Sequence, residues 1–156
     1  MNIRHFRSED AAALAQIFHA AVHGVGARDY SAAQLAAWSP EPAPSDHWHR
    51  RATDGREVFV AVDANDQAWG FIELEQDGHI DCFYCHPDVA GIGVGLALYQ
   101  QLETCAWDLG LTLLFVEASE AAKRFFIRQS FIDEGRRDFE RRGVPMHNYR
   151  MTKTLI

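Results

Sequence analysis

Three glycines lie within six residues in the segment Ala90–Gly95, which reads Ala-Gly-Ile-Gly-Val-Gly. The segment joins the end of a predicted strand to the start of a predicted helix. Glycine lets backbone N–H groups turn inward and approach an anion closely, because it has no Cβ and tolerates positive φ. The N-terminus of the following helix adds free N–H donors and partial positive charge. The segment therefore predicts a pyrophosphate site built from backbone groups.

The glycine segment has three other possible interpretations. A dinucleotide fingerprint would follow the first strand of a βαβ unit and carry an acid about 20 residues on. Here the segment follows an antiparallel hairpin, and Glu117 lies too far along the chain. A Walker A loop needs Gly-Lys-Ser or Gly-Lys-Thr, which is absent. A tight turn without a ligand stays open on the glycines alone.

A second pattern, Cys82-Phe83-Tyr84-Cys85-His86, matches the Cys-x-x-Cys-His attachment site of c-type haem. The segment is predicted to be a strand, on which residues three apart point to opposite faces, so both thiols would not easily reach one ring. A redox Cys-x-x-Cys pair normally opens a helix. Zinc would need a second ligand pair, which His47 and His49 do not form. We therefore expect no haem and no metal ion.

Hydrophobic periodicity predicts the elements that would position these residues. Strands are predicted over residues 2–6, 57–62, 68–76, 79–85, 111–116, 131–139 and 144–152. Helices are predicted over 8–23, 31–38, 95–109 and 121–129, with a further short one starting at Ser45 or Asp46. This order predicts an α/β (α+β) domain around one mixed sheet, with residues 1–156 forming a single domain.

The composition is close to the average of globular proteins. Hydrophobic residues make up 47% and charged residues 24% of the 156 residues, which excludes a disordered chain. The formal net charge of −7 argues against a nucleic-acid backbone as the main partner, since phosphate binding needs a basic face. The first residues do not form a signal peptide, and no run approaches the roughly 20 apolar residues of a membrane helix. We therefore expect a cytoplasmic protein that does not enter a membrane.

Four features together resemble the GNAT superfamily of N-acetyltransferases over nearly the whole chain. Ile3–Asp10 is similar to the family's first strand and helix start, and the hairpin of Gly70–Leu74 and His79–Pro87 to its third and fourth strands. Ala90–Gly95 follows directly, where the family has its acyl-CoA loop, Arg/Gln-x-x-Gly-x-Gly/Ala. Val116–Phe131 is similar to the fifth strand and its helix. The resemblance implies the GNAT fold, a mostly antiparallel mixed sheet of six or seven strands flanked by about four helices, in a bacterial subgroup of small acetyltransferases.

The resemblance also implies an activity, the acetyl-CoA-dependent transfer of an acetyl group to an amine of a small molecule or peptide. The amine would attack directly in a ternary complex. The residues expected to hold acetyl-CoA lie on the fourth strand, the glycine segment and the helix after the fifth strand: Phe83, Tyr84, Cys85, Ala90, Gly91, Ile92, Gly93, Val94, Gly95, Leu96, Ser119, Phe125 and Phe126. The last strands often mediate dimers in such folds, so a homodimer stays open.

Four positions depart from the family pattern. Ala90 replaces Arg or Gln, Ser119 replaces Asn, and Ser130 replaces Gly. Phe126 replaces the Tyr that protonates the leaving thiolate in many members. A loop that binds through its backbone does not need the basic side chain, whereas a phenyl ring cannot donate a proton. Ala90 and Phe126 keep an alternative open, an acyl-CoA-binding sensor or regulatory domain without turnover.

Acetyl transfer needs a base that takes a proton from the amine, and Asp81 is the first candidate. Strand alternation is expected to place it on one face with Phe83 and Cys85. Glu73, on the neighbouring strand, is the second candidate. Either carboxylate could instead be a surface group or the partner of an arginine.

The leaving thiolate needs a proton donor, and the available phenols are Tyr149 on the last strand and Tyr84. Either could also be a core aromatic, and a water could take the role. Cys85 as an acyl-carrying nucleophile would need a nearby base, and the adjacent His86 faces the other side of the strand. A covalent route is therefore not expected.

In the family, the helical segment near the N-terminus forms one wall of the acceptor site. In this sequence, its mixture of polar and aromatic side chains suits a small-molecule pocket. The expected substrate-binding residues are His23, Arg28, Tyr30 and Trp38. A basic run lies within 136–142 of this acidic chain. This run is either a solvated hairpin or a binding site for the phosphates of CoA or for an anionic acceptor. The negative net charge of the whole chain would instead suit a cationic amine as acceptor.

Overall fold

One seven-stranded sheet forms the centre of the computed structural model, which describes residues 1–156. Its strand order is β1-β2-β3-β4-β5-β7-β6, and only β4 and β5 run parallel to each other. The mixed, mostly antiparallel sheet is therefore confirmed. The strands are β1 (Asn2–His5), β2 (Glu57–Val62), β3 (Ala68–Leu74), β4 (His79–Cys85), β5 (Leu113–Ala118), β6 (Ile132–Arg141) and β7 (Val144–Thr154).

Five helices cover the sheet, one more than the resemblance implied. Ser31 begins α2 as its N-cap, since its hydroxyl accepts the Gln34 N–H at 3.1 Å, and Ser119 caps α5 in the same way. None of the helices is long and apolar enough to cross a membrane. The helices are α1 (Ala11–Gly24), α2 (Ala32–Trp38), α3 (Ser45–Ala52), α4 (Val94–Asp108) and α5 (Glu120–Arg128).

Each face of the sheet has its own core because the strands alternate. On β2, Val58 and Val60 pack with α1 and α3, whereas Phe59 packs with α4 on the other face. All three are buried. This is why β2 reads as a continuous apolar run in the sequence.

The parallel pair β4 and β5 is joined only at one end. His79 pairs with Phe115 and Ile80 with Val116, and no pairing continues beyond them. From Asp81 onward, β4 pairs with β3 on its other edge alone. The two strands therefore part and leave a gap in the middle of the sheet, with unpaired backbone groups along its sides.

A β-bulge in β4 breaks its side-chain alternation. Ile72 of β3 opposes Phe83, and Leu74 opposes Ile80, so three steps along β4 match two along β3. The extra residue changes which face the following side chains occupy.

The bulge corrects one expectation from the sequence, that Asp81 shares a face with Phe83 and Cys85. Asp81 points toward α3, where Arg51 Nη2 donates to its Oδ2 at 2.6 Å. Phe83 and Cys85 instead pack against the α4 core, and Phe83 lies 5.1 Å from the Phe125 ring. Alternation was the right rule for a regular strand, but it fails across a bulge.

Candidate active site

Two cavities meet at the gap between β4 and β5. The first, the glycine-loop groove, has a volume of about 450 Å³ and runs between α1, the start of α4 and α5. The second, the central cavity, has a volume of about 970 Å³ and lies between α3, the 39–44 loop, β4, β5 and the β6–β7 hairpin. Six residues line both cavities and mark their junction: Tyr30, Trp38, Phe83, Tyr84, Ser119 and Ala122.

The glycine loop is open to a ligand. Gly91 has φ of +78° and Gly93 has φ of +89°, and an added Cβ at either position would meet nothing within 4 Å. The first backbone hydrogen bond of α4 runs from Ala97 N–H to the Gly93 carbonyl at 3.0 Å. The preceding N–H groups at the helix N-terminus have no intrahelical acceptor. Gly95 is needed for another reason, because a Cβ there would come within 3.3 Å of the Phe83 ring.

Nearly all residues expected to hold a CoA molecule line the glycine-loop groove. The exceptions are Ile92, which is exposed, and Phe126, which is buried and borders the central cavity instead. The residues that line the groove as expected are Phe83, Tyr84, Cys85, Ala90, Gly91, Gly93, Val94, Gly95, Leu96, Ser119 and Phe125.

Two carboxylates flank the gap on the side of the central cavity. The last pair between β4 and β5 is Ile80 with Val116, and Asp81 and Glu117 directly follow these two residues. Both line the cavity, and their side chains are 30% and 27% exposed. One oxygen of each, Asp81 Oδ1 and Glu117 Oε1, accepts no hydrogen bond from another side chain.

Asp81 belongs to an ion-pair network with Glu73, Arg51 and Arg56. Glu73 is fully buried, and its Oε2 accepts from Arg51 at 2.7 Å and from Arg56 at 2.6 Å. The same two guanidinium groups bind Asp81 Oδ2 and hold the pKa of Asp81 below its usual range, against the effect of burial. Glu73 does not line the central cavity, so the structure does not place this second candidate base beside a substrate.

We predict that Glu73→Gln destabilises the fold without changing the chemistry. Removing the Glu73 charge leaves Arg51 and Arg56 without the buried one of their two shared carboxylates, which costs about 3 kcal/mol of unfolding free energy. Urea denaturation of the variant and the wild type measures this loss. A turnover number per folded molecule that also falls more than about tenfold would contradict the structural role and restore Glu73 as a catalytic candidate.

Glu117 is bound by His79, a contact that the sequence did not suggest. His79 Nε2 lies 2.5 Å from Glu117 Oε2, its Nδ1 lies 2.7 Å from Glu75 Oε1, and its ring stacks on Phe115. The two carboxylates raise the pKa of His79 to about 9, with Glu117 contributing most. The His79 cation in turn lowers the pKa of Glu117.

The raised pKa of His79 predicts a pH-dependent contribution to stability. The imidazolium contributes fully below its usual pKa of 6.5, and this contribution is lost as the pH rises through about 9. The wild type should therefore exceed His79→Gln in stability at pH 6 by about 1 kcal/mol, or roughly 2–4 °C in Tm. The difference should shrink toward pH 9.5. Parallel melting curves for the two proteins across this range would contradict the assignment.

Three tyrosines differ in whether they line the two cavities and in what their hydroxyl groups bind. Tyr84 lines both cavities, and burial raises its pKa, so it is protonated at neutral pH. Tyr30 also lines both, but its hydroxyl donates to the His147 carbonyl at 3.3 Å and accepts the Glu120 N–H at 3.1 Å. Tyr149, the candidate acid from the sequence, lines neither cavity and donates to Glu120 at 2.7 Å.

The family model for the acetyltransferase (GNAT) domain matches residues 26–153. The chain belongs to the GNAT acetyltransferase family. It is also similar to the uncharacterized N-acetyltransferase YafP of Escherichia coli K12, with 30% identity over 151 residues, which are 97% of this chain and 94% of the relative. The predicted family and the predicted activity, acetyl-CoA-dependent N-acetyl transfer, are confirmed.

Solved GNAT structures share this architecture. A GCN5-related N-acetyltransferase from Rhodopseudomonas palustris superposes with a TM-score of 0.90 at 33% identity, covering 99% of this chain and 95% of the other. YncA of Salmonella typhimurium, solved with its cofactor acetyl-CoA, has the same fold with a TM-score of 0.75 at 21% identity, covering 100% and 94% of the two chains.

The structure shows the surroundings of three of the four residues that depart from the GNAT pattern. Phe126 is wholly buried and packs against Phe131, with ring centroids 4.8 Å apart. Ser119 caps α5, a role that Asn fills equally well. Ser130 adopts φ of +69°, the left-handed conformation that explains a glycine at this position in other members.

The residues expected to bind the GNAT acceptor substrate fall into two groups. Tyr30 and Trp38 line the central cavity as expected. His23 and Arg28 do not line it. His23 Nε2 lies 2.7 Å from the Ser39 carbonyl and so fixes the 39–44 loop instead, whereas Arg28 is exposed in a turn after α1.

Proposed function

We propose that this GNAT enzyme acetylates a primary amine by direct attack on acetyl-CoA in a ternary complex. The observation that carries the proposal is the meeting of two cavities at the gap between β4 and β5. A thioester bound from one side of the gap would come within reach of an amine bound from the other. Holding both reactants in this way converts a bimolecular step into an effectively unimolecular one.

Acetyl-CoA would lie in the glycine-loop groove. Its pyrophosphate would accept hydrogen bonds from the N–H groups between Gly91 and Leu96, and its pantetheine arm would pass Phe125. Backbone groups of β4 beyond Ile80 face the gap without a strand partner, so they are free to pair with the pantetheine amides. One of their N–H groups would stabilise the oxyanion. The acetyl-CoA in the YncA structure supports this cosubstrate.

Glu117 is the group we propose as the base. Its carboxylate lines the central cavity beside the gap, and no side chain donates a hydrogen bond to its Oε1. Asp81, the candidate from the sequence, is the second carboxylate at this position, but two guanidinium groups bind it, whereas Glu117 has the single partner His79. The free oxygens of these acids would bind the ammonium form of the substrate. Glu117 would take a proton from it, and the free amine would then attack the carbonyl carbon.

Collapse of the tetrahedral intermediate breaks the C–S bond, and the thiolate then needs a proton. We propose that Tyr84 donates it, since its phenol lies at the junction of the two cavities and is protonated at neutral pH. Burial raises the pKa of the Cys85 thiol to about 12, so Cys85 is a poor nucleophile for an acyl-enzyme route.

The test is thiol release from acetyl-CoA with a panel of primary amines, with the acetylated product identified by mass spectrometry. We expect release that depends on both the amine and the enzyme. Tyr84→Phe should lower kcat about 10- to 100-fold and leave acetyl-CoA binding unchanged, while Tyr149→Phe serves as the matched control with little effect. Equal rates for all three proteins would overturn the role of Tyr84.

A further inference from the structure

A stripe of two arginines and one phenylalanine lies on the cavity side of β6. Arg137, Phe139 and Arg141 alternate along the strand, and all three line the central cavity. The intervening residues on the other face are Arg136, Asp138 and Glu140, which carry mixed charge and do not line this cavity. The alternation therefore separates the basic run of the sequence into an inner, purely cationic stripe and an outer, mixed one.

Neither of the inner arginines forms a salt bridge, although Arg137 lies close enough to Glu117 to help lower the pKa of that carboxyl. Arg137 donates to the Asn148 side chain at 3.2 Å, and Arg141 makes neither an ion pair nor a side-chain hydrogen bond. By contrast, Arg136 on the outer face pairs with Asp138 at 2.9 Å. In a chain with a net charge of −7, two exposed guanidinium groups that form no salt bridge and line one cavity are suited to bind an anionic group.

The central cavity therefore offers two kinds of group to a ligand. At the gap it holds one oxygen each of Asp81 and Glu117 that no side chain donates to, and its β6 wall holds the guanidinium groups of Arg137 and Arg141. A simple alkylamine or polyamine would leave the arginines unpaired, whereas a molecule with an ammonium and a carboxylate satisfies both ends. Phe139, between the two arginines, offers an apolar surface to the carbon skeleton of such a molecule.

We propose that the acceptor is an amine that carries a carboxylate, as an amino acid does. Its amine lies at the gap beside Glu117, and Arg137 and Arg141 bind its carboxylate in fork geometry. This inference rests on the proposed acetyl transfer and adds the class of substrate. The CoA phosphates are a less suitable ligand for this stripe, because neither arginine lines the glycine-loop groove.

The test compares each amino acid with its decarboxylated amine, such as phenylalanine with phenethylamine. In the wild type, kcat/KM should favour the carboxylated partner at least tenfold for the best substrate. In the double variant Arg137→Gln/Arg141→Gln, this preference should fall about 10- to 100-fold, mainly through KM. Arg136→Gln, on the outer face of the same strand, is the matched control and should keep the wild-type preference.

The outcomes separate this inference from the proposed function. If decarboxylated amines are acetylated as well as or better than amino acids, the carboxylate site is overturned and acetyl transfer stands. An unchanged preference in the double variant overturns it equally, as does a matching loss of acetyl-CoA affinity in that variant, which would assign the arginines to CoA. If neither kind of amine is acetylated although acetyl-CoA binds, the proposed transfer fails, and the acceptor assignment fails with it.

Discussion

Gly93→Val is expected to weaken acetyl-CoA binding about 100-fold, because it removes the backbone conformation on which the pyrophosphate site depends. Gly93 holds φ of +89° directly before α4. A β-branched residue does not tolerate this conformation, so the loop must rearrange and its N–H groups no longer converge. Losing two charge-assisted hydrogen bonds accounts for an effect of this size. Isothermal titration with acetyl-CoA measures it.

The matched control for Gly93 lies at the other end of the same helix. Gly110 has φ of +74°, and a Cβ there would also meet nothing within 4 Å. Gly110→Val therefore introduces comparable backbone strain, about 1–3 kcal/mol, far from the glycine loop. It should lower stability as Gly93→Val does and keep wild-type affinity. If both variants bind acetyl-CoA like the wild type, the loop is only a turn.

Glu117→Gln is expected to lower kcat about 100- to 1,000-fold, because the amide keeps the size of the side chain but cannot accept the proton. Acetyl-CoA affinity should not change, since Glu117 does not line the glycine-loop groove. Glu75→Gln is the matched control. Glu75 binds the other nitrogen of His79 at 2.7 Å but does not line the central cavity.

The comparison of the two glutamates separates catalysis from support of His79. A loss confined to Glu117→Gln assigns the base. Equal losses in both variants would mean that the charge of His79 is what matters, and the role of the base would pass to Asp81. Steady-state rates of thiol release at saturating acetyl-CoA and amine give the answer directly.

Local signals explain why the glycine loop and the order of elements were predictable. Glycines at fixed spacing before a helix, a hairpin with Asp77-Gly78 at its turn, and the apolar run of β2 each act within a few residues. All of the loop residues except Ile92 accordingly line the groove. The resemblance to GNAT proteins then supplied the topology, which periodicity alone does not determine.

The side of the site with the proposed base was harder to predict, because its contacts join distant parts of the chain. His79 meets Glu117 across 38 positions, and Arg51 meets Asp81 across 30. Nothing in the local sequence around these residues indicates such pairs. The signal that could have found Glu117 is its place on β5, where it faces away from the buried Val116. The alternation of side-chain types in the sequence of β4 gives no sign of the bulge.

Initial rates of thiol release, measured while the concentrations of acetyl-CoA and of the best amine are varied together, test transfer across the gap. Direct attack in a ternary complex predicts double-reciprocal lines that intersect, and an enzyme that carries no acetyl group when incubated with acetyl-CoA alone. Parallel lines together with an acetylated enzyme would place a covalent intermediate on the pathway. That result would contradict an arrangement in which the two cavities bring thioester and amine together.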